Sequence, residues 1–67
     1  MNVCKRVGQN LRRAREALGI SQEDLADRAG LHRTYVSGVE RGVRNPTVTV
    51  LEKLAKALKV KSSSLLD

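Results

Sequence analysis

The chain has 67 residues and a formal net charge of +6, from 13 Lys and Arg against 7 Asp and Glu. A chain of this length forms one small domain, here residues 1–67, and encloses little volume for an active-site cavity, so we expect no enzymatic activity. The excess of basic residues predicts a polyanionic partner, although a basic charge also suits an acidic membrane surface.

The content of cysteine and histidine excludes several kinds of site. Cys4 is the only cysteine and cannot form an internal disulfide, and His32 has no companion histidine. We therefore expect no metal and no cofactor. The N-terminal segment is charged where a signal peptide is apolar, and no apolar stretch approaches the roughly 20 residues of a membrane span. These features predict a cytoplasmic protein that does not enter a membrane.

The spacing of apolar residues predicts two helices in the first half of the chain. The first covers residues 3–18, and its apolar side chains form one stripe: Val7, Leu11, Ala14 and Leu18. Gly19 ends this helix, because glycine readily adopts the left-handed conformation that closes a helix. The second helix covers residues 22–29 and has Ser21 as its N-cap.

A third and a fourth helix are predicted in the second half. Val36 and Val39 face inward in a short helix of residues 33–41, which Gly42 ends. Thr47 caps the fourth helix, which continues to about Val60. Its apolar stripe consists of Leu51, Leu54, Ala55 and Leu58.

The serine run 62–64 predicts caps for a final turn that brings Leu65 or Leu66 onto the core. No segment alternates apolar and polar residues as a strand does. The predicted fold class is therefore all-α, a compact bundle of four to five short helices.

A tight glycine turn joins the second and third predicted helices. Ala26 is small where the two helices cross, and Gly30 permits the turn. Val36 and Val39 anchor the third helix while its other face stays free. This is the spacing of a helix-turn-helix, which presents a recognition helix to the major groove of DNA.

The free face of the third helix has no large apolar side chain. By helical period its members are Arg33, Thr34, Ser37, Gly38 and Arg41. The guanidinium of Arg33 matches the O6 and N7 acceptors of guanine, and Thr34 can contact a thymine methyl group or a base edge. A glycine inside a helix costs about 1 kcal/mol relative to alanine. Gly38 is thus either a point of close approach to DNA or a tolerated surface glycine.

The segment SQEDLADRAGLHRTYVSGVERGVRNP resembles the helix-turn-helix of the lambda repressor and Cro superfamily, often called XRE-like, and the similarity spans nearly the whole chain. Within that superfamily, RTYVSGVERGVRN is most similar to the controller proteins of restriction-modification systems. This resemblance implies a transcriptional regulator that binds a double-stranded DNA operator as a homodimer and regulates its own gene and the endonuclease gene. We expect no small-molecule ligand.

The resemblance also implies which side chains meet the DNA. Gln22 contacts a phosphate at the start of the second helix, unless it only solubilises the first turn. Arg33 and Thr34 lie at base edges, and Ser37 reaches a base or a phosphate.

Further contacts are expected around the recognition helix. Tyr35, the only aromatic residue, either approaches the DNA backbone or fills space between helices. Arg44 and Asn45 lie in the following loop, where they are placed to meet the backbone or the minor groove, and Arg41 is placed similarly. The alternative for both arginines is a solvated surface charge.

Arg15 and Glu40 lie beside the core stripes of the first and third helices. Their positions predict a partly buried ion pair, which superfamily members show at the matching positions. We expect its role to be structural, because breaking one partner of a buried pair costs about 3 to 5 kcal/mol.

A second apolar stripe on the fourth helix is the predicted dimer face. Its members, with the C-terminal leucines, are Val48, Val50, Leu54, Ala57, Leu65 and Leu66. The alternative is a broad core contact that the C-terminal turn covers.

Two other functions fit a small basic helical domain. A protein-interaction module, such as an antitoxin or a bridging factor, would bind a protein partner and no specific operator. Single-stranded RNA binding is disfavoured, because one tyrosine provides no platform on which bases stack.

Overall fold

The computed structural model describes residues 2–67, and this range contains no strand. Its helices are α1 (Val3–Leu18), α2 (Gln22–Ala29), α3 (Arg33–Glu40) and α4 (Val48–Leu58), followed by a C-terminal 3-10 turn (Ser62–Leu65). The all-α prediction is confirmed. No helix in the described range is long and apolar enough to span a membrane.

Short polar side chains begin three of the helices. Each N-cap oxygen accepts a hydrogen bond from the backbone N–H three residues later, which satisfies a donor that has no partner inside the helix. The residues that do so are Asn2, Ser21 and Thr47. His32 precedes α3 and makes no such bond. The predicted serine caps of the C-terminal turn are wrong, since its N-cap is Lys61 and the Ser64 hydroxyl donates to the Lys61 carbonyl.

Glycines close two of the four helices. Gly19 and Gly30 close α1 and α2 at φ 76° and 70°, in the left-handed region where other residues are strained. The helix α3 ends at Glu40, one residue before the predicted end, with Arg41 as its C-cap and Gly42 at φ 78° directly after it. The predicted end of α4 at Val60 is two residues too late. Lys59 adopts φ 60° and ends the helix without a glycine.

The core lies between the four helices and the C-terminal turn. Its buried members are Val7, Leu11, Leu25, Ala26, Ala29, Val36, Val39, Leu51, Leu54, Ala55, Leu58 and Leu65. Leu18 was expected on the α1 stripe but is 40% exposed, whereas Ile20, beyond the Gly19 turn, packs against the core. Of the two C-terminal leucines, Leu65 enters the core and Leu66 is exposed.

The approach of α1 to α3 depends on Gly8, which is buried. A Cβ atom at this position would overlap the carbonyl oxygen of Val39 and lie 2.7 Å from that of Glu40. Because both obstacles are backbone atoms, a larger residue would push the two helices apart. Gly8 therefore fixes how closely α3 is held against the body of the domain.

Candidate nucleic-acid interface

The structure holds the two base-reading candidates on the outside of α3. Arg33 and Thr34 are exposed in its first turn, while Val36 and Val39 are fully buried on the opposite side. Arg41 is exposed one residue beyond the helix, and Ser37 is half-buried between these positions. A short helix is thus anchored by its apolar face and presents a polar face that starts with an arginine.

Within the described range 2–67, Arg33 has one ionic neighbour. Its Nη1 lies 3.7 Å from Glu23 Oε2 on α2, and both side chains are about two-thirds exposed (67% and 71%). Ion pairs this exposed contribute little to stability, because water and salt screen them. The contact therefore leaves the Arg33 guanidinium available to a ligand.

The predicted ion pair between α1 and α3 is present. Arg15 donates from Nε to Glu40 Oε2 at 2.7 Å and from Nη2 to Glu40 Oε1 at 3.1 Å. The two side chains are only 12% and 3% exposed. The hydrogen bond to Glu40 raises the pKa of Arg15 above its usual value, against the opposing effect of burial. Arg15 therefore remains a cation, and its ion pair with Glu40 joins the C-terminal end of α3 to α1.

Gln22 belongs to the same network. Its side-chain amide donates to Glu40 Oε1 at 3.0 Å, so that one carboxylate joins residues from α1, α2 and α3. The sequence indicated either a phosphate contact or a solubilising role for Gln22, and it gave no sign of the hydrogen bond to Glu40. The phosphate contact of Gln22 stays a prediction.

An open cleft of about 410 Å³ lies between the starts of α2 and α3. Its lining consists of Arg15, Ser21, Gln22, Glu23 and Arg33. The exposed Arg33 guanidinium and the positive end of the α2 dipole favour an anion there, whereas the Glu23 carboxylate opposes one. The Arg15 guanidinium is already neutralised by its ion pair with Glu40.

The position of Gly38 in the structure differs from both sequence-based alternatives, which placed it at the surface. It is buried, so it is neither a surface glycine nor a point where backbone meets DNA. The side chain of Arg44 covers it, and a Cβ atom at position 38 would lie 2.5 Å from Arg44 Cγ. The loop after α3 therefore folds back onto the helix.

Three polar side chains at the end of α3 and in this loop face solvent. Arg41, Arg44 and Asn45 are exposed, and within residues 2–67 their side chains make no hydrogen bond or ion pair. Tyr35 is half-buried and its side chain packs against the core, which fits the space-filling alternative. The DNA contacts of these four residues stay predictions.

Comparison with known proteins identifies the family. A helix-turn-helix family model matches residues 11–65. The chain belongs to the helix-turn-helix family. This confirms the resemblance to the XRE-like superfamily that the segment from Ser21 to Pro46 carries.

Relatives of this helix-turn-helix protein include restriction-modification controllers. The chain is 45% identical over 67 residues to "Control protein C.BamHI" of Bacillus amyloliquefaciens, covering 98% of this chain and 83% of the relative. It is 44% identical over 66 residues to "Control protein C.SmaI" of Serratia marcescens, covering 98% and 79%. The crystal structure of the restriction-modification controller protein C.AhdI from Aeromonas hydrophila is similar, with a TM-score of 0.90 and 48% identity over 92% of this chain and 94% of that chain.

The predicted dimer face of this helix-turn-helix protein needs correction. Leu54 and Leu65 are 0% and 1% exposed, because Leu54 shares the core stripe of α4 and Leu65 closes the core from the C-terminal turn. Val50 and Ala57 are half-buried against the core. Val48 is 73% exposed and Leu66 is 48% exposed.

The helical geometry of α4 also places the remaining apolar residues on two different sides of the helix. Val48 and Ala57 are nine residues apart, which at about 100° per residue places them on opposite sides of the helix. Val50 and Ala57 are seven apart and share a side. Val48 therefore does not extend the surface that Val50 and Ala57 begin.

Two residues of the helix-turn-helix domain had no assigned role. The Asn10 amide donates to the carbonyl oxygens of Leu65 at 3.1 Å and Asp67 at 2.7 Å, and so joins α1 to the C-terminal turn. Nothing in the local sequence indicates this contact. Gly8 did carry a signal, since a glycine between Val7 and Leu11 on an apolar stripe is typical of close helix packing.

Among residues 2–67, no group of three or more His, Cys, Asp or Glu side chains is arranged to hold a metal ion.

Proposed function

We propose that this chain is a sequence-specific regulator of the restriction-modification controller type, which binds a double-stranded DNA operator and regulates its own gene. The observation that carries the proposal is the orientation of α3. Its apolar side is fully buried at Val36 and Val39, and Arg33 and Thr34 project from its first turn. A cytoplasmic location accompanies DNA binding, and the free thiol of Cys4 fits a reducing compartment.

The charges around α3 support two kinds of contact. We expect the exposed Arg33 guanidinium to bind the O6 and N7 atoms of a guanine, and a phosphate of the same duplex to lie against the N-terminal end of α2. Phosphate contacts raise the affinity for every DNA sequence and weaken in salt, whereas a base contact raises the affinity for one sequence. Replacing Arg33 should therefore remove the base contact and leave the phosphate contacts of other residues, so that the two contributions to affinity can be measured separately.

We expect Arg33→Ala to lower the affinity for the operator by about 1 to 3 kcal/mol, with little change for random DNA. The measurement is a titration of the protein against its own upstream DNA at two salt concentrations, with competitor DNA present. Arg12→Ala is the matched control. Arg12 is also an exposed arginine paired with a glutamate, at 3.3 Å from Glu16, but it lies on α1 outside the helix-turn-helix unit.

The control should weaken operator and random DNA by the same small factor. Equal losses for Arg33→Ala on both DNAs would contradict sequence recognition by α3. A chain that binds no operator, and whose protein partner is bound equally well by Arg33→Ala, would instead be an interaction module.

We further propose that the regulator acts as a homodimer. Two-fold dimers place their recognition helices one DNA turn apart, about 34 Å, and so read two half-sites. After the correction of Leu54 and Leu65, the apolar surface left for a second copy includes Leu66 and the half-buried side of α4 with Val50 and Ala57.

A further inference from the structure

Gly38 occupies the middle of α3, where a glycine lowers helix stability relative to alanine. Its φ is not positive, unlike that of Gly19, Gly30 and Gly42. The backbone conformation therefore does not require glycine at this position. Glycine is needed here because a larger side chain would collide with a neighbouring residue.

The side chain that uses this space is that of Arg44. The three atoms nearest to a Cβ built on Gly38 are Arg44 Cγ at 2.5 Å, Cβ at 3.5 Å and Cδ at 3.6 Å. The aliphatic part of Arg44 thus lies directly across α3. Any side chain at position 38 would displace it.

The backbone of the loop is fixed to the same residue. The carbonyl oxygen of Gly38 accepts the N–H of Val43 at 3.0 Å and the N–H of Arg44 at 3.2 Å. These two bonds turn the chain back over the helix. They place the backbone of Arg44 beside Gly38. Because Gly38 has no side chain, the aliphatic part of Arg44 packs against α3 at this position.

We propose that Gly38 is a positioning residue for DNA binding, which acts by laying the stem of Arg44 across α3 so that its exposed guanidinium stands beside the recognition face. This proposal rests on the function proposed above. An arginine whose stem is held before binding loses less conformational freedom when it reaches the DNA backbone or the minor groove. Gly38 itself, being buried, touches no DNA.

The test is a double-mutant cycle with Gly38→Ala, Arg44→Ala and the double variant. We expect each single variant to lose operator affinity by about tenfold, the size of one charged hydrogen bond. The double variant should lose no more than Arg44→Ala alone, because Gly38 acts only through Arg44. Independent contributions would multiply to about a hundredfold.

Thermal unfolding followed by circular dichroism tests whether the packing contact between Gly38 and Arg44 exists, and the operator titration then shows whether this contact serves DNA binding. In the Arg44→Ala background the obstacle to a Cβ is gone, so Gly38→Ala should raise the melting temperature through the better helix propensity of alanine. In the wild-type background the same change should raise it less or lower it, because the Arg44 stem is displaced.

Two results would overturn the positioning role while wild-type operator binding is intact. One is full operator affinity in Gly38→Ala, and the other is a loss in the double variant that equals the product of the two single losses. A wild-type chain without any operator overturns the proposed function and this proposal together, so the two failures are distinguishable.

Discussion

Glu40→Ala is expected to lower the free energy of unfolding by about 3 to 5 kcal/mol. The substitution leaves the Arg15 cation, whose side chain is 12% exposed, without its carboxylate. It also removes the acceptor of the Gln22 amide. A domain of this size has a total stability of about 3 to 10 kcal/mol, so the loss is a large part of the whole.

Urea denaturation followed by circular dichroism measures this change, and Glu16→Ala is its control. Glu16 also pairs with an arginine, Arg12, but the two side chains are 57% and 65% exposed. The control should change stability by less than about 1 kcal/mol. If the free energy of unfolding of Glu40→Ala lies within about 0.5 kcal/mol of the wild-type value, the hydrogen-bond network around Glu40 does not hold α3 in place. Loss of DNA binding in this variant is thus expected from unfolding and is not evidence that Glu40 contacts DNA.

Leu54→Ala is expected to destabilise the domain by about 2 to 5 kcal/mol, because it opens a cavity in the middle of the core. Leu54 is 0% exposed and packs within the α4 stripe. Leu66→Ala makes the same chemical change at a leucine that is 48% exposed, and its stability should stay within about 1 kcal/mol of wild type.

The pair of variants also tests the dimer surface. Leu66→Ala should weaken self-association, which sedimentation equilibrium measures over a range of protein concentrations. An unchanged monomer–dimer equilibrium would remove Leu66 from the proposed interface. Because Leu54 is buried, any change of self-association in Leu54→Ala should follow from its loss of folded protein.

Local signals in the sequence predicted most of the helical framework. The N-caps Ser21 and Thr47 and the glycines 19 and 30 act within one helical turn, so their effects are readable from neighbouring residues. The Arg15–Glu40 pair was also predictable, since both residues lie beside apolar stripes that must face each other.

Other features depend on how distant segments meet, and the sequence could not settle them. The choice of Leu65 over Leu66 for the core is decided by the path of the C-terminal turn, which Asn10 on α1 fixes. The burial of Gly38 depends on a loop that folds back over α3. Leu54 was ambiguous because apolar residues extend over more of α4 than the core covers, and periodicity does not mark where the core ends.

Methylation protection of guanine N7 on the operator tests the central claim most directly, because that atom lies in the major groove where Arg33 is proposed to bind. We predict that the wild-type protein protects specific guanines and that Arg33→Ala leaves them reactive while the variant stays folded. An operator that is bound by the wild-type protein with every guanine N7 freely methylated would contradict the account.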